Sequence, residues 1–61
     1  MTDDEVSEVC GDYLRRAEAC DRLAANAVGA EERRVKAKAS AYRHAEELLR
    51  EAWRRSREAA K

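Results

Sequence analysis

The chain has 61 residues, 43% of them charged, which bounds it to one small domain. A single core of that size rarely supplies more than about 3–5 kcal/mol without a staple, a metal or a partner chain. Net charge is zero but unevenly divided: residues 1–28 hold three Arg against seven Asp and Glu, and residues 29–61 hold ten Lys and Arg against six Glu. No apolar run approaches the roughly 18 residues that suggest a membrane span. The acidic start, Met1-Thr2-Asp3-Asp4-Glu5, lacks the apolar stretch of a signal peptide. The expected compartment is therefore the cytoplasm.

Thr2 and Glu5 have the spacing of a capping box, in which each side chain satisfies the other's orphan amide. Asp3 and Asp4 then fall in the first turn, where the helix dipole favours negative charge. From there Val6, Cys10, Tyr13, Ala17, Cys20, Ala24 and Ala27 alternate spacings of four and three, the seam of an amphipathic helix. Val9, Leu14 and Leu23 flank it. Gly11 lies just off the seam and costs about 1 kcal/mol relative to Ala in a helix interior. Nothing in the sequence accounts for it.

The first helix is expected over about residues 3–27 and a turn over 28–30. Gly29 is the only other Gly, and Gly is the usual residue just past a helix C-terminus. Glu31 and Glu32 suit the start of a second helix, although Ala30 is a poor N-cap. One uninterrupted helix is the rival. It places Glu31, Arg34 and Lys38 on the first seam and moves Tyr42 and Leu49 off it. The change of phase at Gly29 favours a hairpin.

The second helix is expected over about residues 31–60. Val35, Tyr42, Leu49 and Ser56 recur every seven residues, and Ala45, Ala52 and Ala59 recur at the same interval. Ala39, Leu48 and Trp53 widen this seam into a face broader than one neighbour covers. Folding at Gly29 sets Tyr13 level with Ala45, Tyr42 with Ala17, Leu49 with Val9 and Val35 with Leu23, large against small. Trp53 falls level with Glu5 and Val6, which are too small to cover an indole. The fold class is all-α, one antiparallel helical hairpin over residues 1–61, dimerising into a four-helix bundle. Tyr13, Tyr42, Leu48, Leu49 and Trp53 are the expected oligomer or partner interface. In length and layout this looks like the RNA-regulating Rop dimers, a likeness of architecture without a shared motif.

Chemistry is sparse. Cys10 and Cys20 lie roughly 15 Å apart along one helix, beyond the ~7 Å reach of a disulfide, and no metal-binding Cys spacing is present. Both read as reduced packing residues, with a disulfide between chains as the alternative. His44 falls on the outer surface near Glu47 and Glu51. No catalytic set and no phosphate loop can be assembled, so the expectation is a non-enzyme without cofactor or metal. Lys36, Arg43, Arg50, Arg54, Arg57 and Lys61 form a row that could track phosphates. Glu46, Glu47, Glu51 and Glu58 interleave and neutralise much of that row, and no aromatic stands in it to stack on bases.

The stretch Lys36-Ala37-Lys38-Ala39-Ser40-Ala41-Tyr42-Arg43-His44-Ala45-Glu46-Glu47-Leu48-Leu49 resembles short hypothetical helical proteins encoded by high-GC bacteria and their phages. That resemblance implies accessory or regulatory work through protein contacts and transfers no site residues. The expected function is a small homo-oligomeric interaction module, regulatory or accessory, that contacts itself and an unidentified protein partner through helix faces. The alternative is a Rop-like nucleic-acid-binding dimer that uses the basic row.

Overall fold

The computed structural model describes residues 1–60. It is a hairpin of two α-helices, α1 over Asp3–Asn26 and α2 over Ala30–Ala59, packed along their length. Neither is long and apolar enough to cross a membrane. The capping box at Thr2 is formed in both directions. The Thr2 hydroxyl accepts from Glu5 N–H at 3.2 Å, and the Glu5 carboxylate accepts from Thr2 N–H at 3.0 Å. These bonds, the backbone one foremost, hold the Glu5 carboxyl below its ordinary pKa.

The turn lies one residue earlier than the sequence suggests and is differently built. α1 ends at Asn26 and is capped by Ala27 in an extended conformation, whose N–H donates to Ala24 O. Gly29 does adopt a positive φ, +66°. It serves as the N-cap of α2 rather than the C-terminal residue of α1, and it offers no side-chain cap. Its carbonyl accepts from Arg33 N–H at 3.3 Å. A side chain at Gly29 would meet open space but strained backbone, so Gly is required there by conformation alone.

The α1 seam is as read: Val6, Cys10, Ala17, Cys20 and Ala24 are buried. Tyr13 is half-buried. On α2 the seam departs from the expected one. Ala39 and Glu46 are buried, with Val35, Tyr42, Leu49 and Trp53 half-buried beside them, while Ala52, Ser56 and Ala59 are exposed. Two physical causes combine. The seam follows the spacing 35, 39, 42, 46, 49, 53, which keeps a 3.6-residue helix facing its partner, leaves Ala45 half-buried at its edge and turns Ala52 and Ala59 outward. Beyond Trp53, α2 runs past the first residues of α1, which Asp3 marks, so Ser56 and Ala59 have little to pack against.

Glu46 corrects the sequence reading most sharply. It was expected among the solvated carboxylates and is 4% exposed. Its stem fills the seam, and its backbone carbonyl accepts a long contact from the Cys10 thiol, 3.9 Å. The expected large-against-small pairing is also corrected at the tyrosines. Tyr13 and Tyr42 meet each other, with ring centroids 6.3 Å apart and planes tilted by 33°. A phenol spans the few-ångström stagger between their levels, so the two rings reach one another across the smaller residues between them.

Candidate interaction faces

Stepping about 100° per residue around each helix, the hairpin has two broad faces of opposite character. The first carries Asp3, Ser7, Gly11, Leu14 and Asp21 from α1, with Lys36, Arg43, Arg50, Arg54 and Arg57 from α2. The cross-helix ion pairs lie here. Arg57 Nη1 donates to both oxygens of Asp3 at 3.1 Å, and Arg43 pairs with Asp21. The Arg43 hydrogen bond holds the Asp21 carboxyl below its ordinary pKa, and the same bond raises the Arg43 pKa. A groove of about 390 Å³ runs along this face, lined by Asp3, Val6, Ser7, Cys10, Gly11, Leu14 and Arg50.

The basic row stands on this face, and most of it is already matched. Lys36 bonds to Glu32 at 2.8 Å, which raises its pKa. Arg43 is held by Asp21, Arg50 by Glu46 and Arg57 by Asp3. Arg54 has no carboxylate partner among the described residues. Lys61 lies outside the described residues. At Glu46 the Arg50 guanidinium pairs with the buried Oε1.

The opposite face has no cross-helix ion pair among the described residues. It mixes apolar Val9, Tyr13 and Leu23 from α1 and Ala41, Tyr42, Ala45, Leu48, Leu49, Ala52 and Ala59 from α2 with exposed Glu5, Arg16, Arg34 and Lys38. Leu23 is 63% and Leu48 53% exposed. Tyr13, Tyr42, Leu49, Val9 and Ala45 are half-buried, since the hairpin covers them from one side only. Of the five expected interface residues, Tyr13, Tyr42, Leu48 and Leu49 gather here. Trp53 sits apart, at the centre of the seam near its open end. Its indole Nε1 donates to Asp3 Oδ1 at 2.6 Å. Sequence reasoning looked at that level for an apolar cover and so missed Asp3; the signal was its position one turn before Val6.

Cys10 and Cys20 are both free and buried, and His44 is exposed. No family model, curated protein or solved structure matches the chain.

Proposed function

We propose that the chain is a small non-enzymatic interaction module of the cytoplasm, homo-oligomeric and regulatory or accessory. It acts by presenting helix faces to a second copy of itself and to a protein partner, and two hairpins associate into a four-helix bundle. The observation that carries this reading is the set of half-buried and exposed apolar side chains Val9, Tyr13, Leu23, Tyr42, Leu48 and Leu49 on one side of the hairpin. The core behind it supports the same conclusion. No large side chain in it is fully buried, and it consists of Val6, two Cys, three Ala and the stem of Glu46. Burial contributes in proportion to apolar area, so so slight a core gains most from a partner that covers the half-exposed residues.

The intramolecular pairing of Lys36, Arg43, Arg50 and Arg57 weighs for protein contacts over the nucleic-acid alternative. Phosphates would have to displace four carboxylates already in place. A gel-shift titration against RNA and duplex DNA at two salt concentrations tests this. The expected result is no salt-sensitive shift. A shift that fades steeply with salt and disappears in an Arg54→Ala, Arg57→Ala variant would replace the reading with the nucleic-acid one.

A further inference from the structure

We infer that Gly29 is a hinge on which two copies of the chain can exchange their second helices. Straightened through residues 27–29, each chain becomes one continuous helix. Two such helices lie antiparallel, with α1 of each against α2 of the other. This association is separate from the homodimer proposed above, in which intact hairpins meet face to face. The observation that carries it is the phase of the two buried stripes. At about 100° per residue, the α1 stripe from Val6 to Ala24 and the α2 stripe from Val35 to Trp53 point within about 20° of one another once the helix is carried through the turn. A strict seven-residue repeat hides this, because it brings Glu31, Arg34 and Lys38 into the stripe and loses Tyr42 and Leu49. The residues that the hairpin buries follow the 3.6-residue period instead, and on that period they share one side.

Val28 finds a place in this arrangement. It is the most exposed of the large apolar side chains, at 82%, and the hairpin leaves it in water. In the continuous helix the steps from Ala24 to Val28, Glu31 and Val35 alternate four, three and four, so Val28 enters the stripe itself. Its neighbour there is its own copy. Residues that are level in the hairpin, Asp3 with Trp53 and Cys10 with Glu46, have their midpoint at residue 28. The two-fold axis of the exchanged pair therefore passes at Val28. Glu31 falls at the margin of the stripe, where Tyr13 and Leu49 are half-buried, and its carboxylate stays within reach of water.

Both forms contain the same contacts between α1 and α2, including Asp3 with Trp53 and Asp21 with Arg43. The difference between them rests on the turn and on association. The hairpin holds its turn lightly. Gly29 caps α2 without a side-chain hydrogen bond, and the backbone adds only Ala27 N–H to Ala24 O and Arg33 N–H to Gly29 O. Straightening joins the two helix ends and gives their orphan N–H and C=O groups intrahelical partners. Against it stand the entropy of association and Gly29 itself. Gly is a poor helix former, and it accepts the φ of +66° without strain. Gly29→Ala strains the hairpin turn and favours the continuous helix in the same change. Strained hinge loops of this kind promote exchange between copies.

The test places nitroxides at Glu8→Cys and Glu47→Cys of Gly29→Ala, in a Cys10→Ala, Cys20→Ala background. Both sites are exposed and lie level across the hairpin. The labelled chain is refolded with excess unlabelled chain, so that only distances within one chain are read. The exchanged form gives a dimer mass in sedimentation and about 60 Å between labels, at roughly 1.5 Å per residue of straight helix. The same labels with Gly29 in place give about 15–25 Å, from adjacent helices. A short distance in Gly29→Ala at any mass, or a monomer mass, overturns the exchange. A dimer with the short distance leaves the face-to-face homodimer standing. If the cysteine-free background fails to fold, sedimentation of unlabelled variants with both native cysteines decides. Gly29→Ala, Leu48→Glu stays dimeric, because Leu48 lies outside the stripe. Gly29→Ala, Val28→Glu becomes monomeric, because two charges meet at the axis. A monomer in the first or a dimer in the second overturns the exchange.

Discussion

Asp3 holds Trp53 and Arg57 at once. The indole N–H donates to Oδ1 at 2.6 Å, and the guanidinium donates to both oxygens at 3.1 Å. One carboxylate in the first turn of α1 therefore closes the open end of the hairpin, where terminal turns otherwise fray. Asp3→Ala is expected to lower stability by about 1–2 kcal/mol, modest because the group is exposed. Thermal unfolding followed by helix ellipticity checks this. An unchanged midpoint would show that the end is held by packing of the indole alone.

Asp21 makes the corresponding cross-helix pair with Arg43 nearer the turn. Its carboxyl is held below the ordinary value of 3.8 by the Arg43 hydrogen bond. A group whose pKa is depressed on folding stabilises the fold above its unfolded pKa and loses that contribution as pH falls through the folded value. Stability is therefore expected to fall below about pH 4, and Asp21→Asn should flatten part of that fall. An acid limb unchanged in the variant would assign the loss to other carboxylates.

Gly11 is not required by the hairpin. A Cβ there would meet only Arg15 Nη1, at an ordinary 3.5 Å, and the residue lies on the charged face away from the apolar one. Gly11→Ala should raise stability by about 0.5–1 kcal/mol through helix propensity, with self-association unchanged. A weakened dimer in this variant would move the interface to the groove that Gly11 lines.

Glu46 is the costly residue of the seam, a buried carboxylate whose ion partner is the exposed Arg50. Glu46→Leu keeps the apolar stem and removes the charge. It should raise stability by about 1 kcal/mol or more, as replacement of buried ion pairs often does. Chemical denaturation of the two proteins measures the difference directly. A clear loss would mean the Arg50 pair stabilises the hairpin on balance.

The hairpin was legible in the sequence where local rules act without competition. The capping residues Thr2 and Glu5, the α1 seam from Val6 to Ala24, and the break at Gly29 all follow from spacing and propensity. The α2 seam was misread because alanine is ambiguous: Ala45, Ala52 and Ala59 suit a tight interior and a solvated helix equally. Glu46 was misplaced because a charged side chain is assigned to solvent by type, whereas its stem packs and Arg50 lies over its end. Trp53 was placed at the correct level, but its partner is polar, and a search for apolar cover passes over Asp3. Tyr42 and Leu49 share a side of the 3.6-residue period, which a sequence does display, whereas Leu48 lies about 100° further round and is exposed.

The claim on which the account turns is that the apolar face is covered by a second copy of the chain. Sedimentation equilibrium at micromolar concentration measures this directly, with Leu48→Glu as the control. The expected mass is about twice the monomer's 6.9 kDa, falling toward the monomer when a charge replaces the exposed Leu48. A native chain that sediments at 6.9 kDa while unfolding cooperatively would contradict it, and would mean the hairpin stands with that face in water.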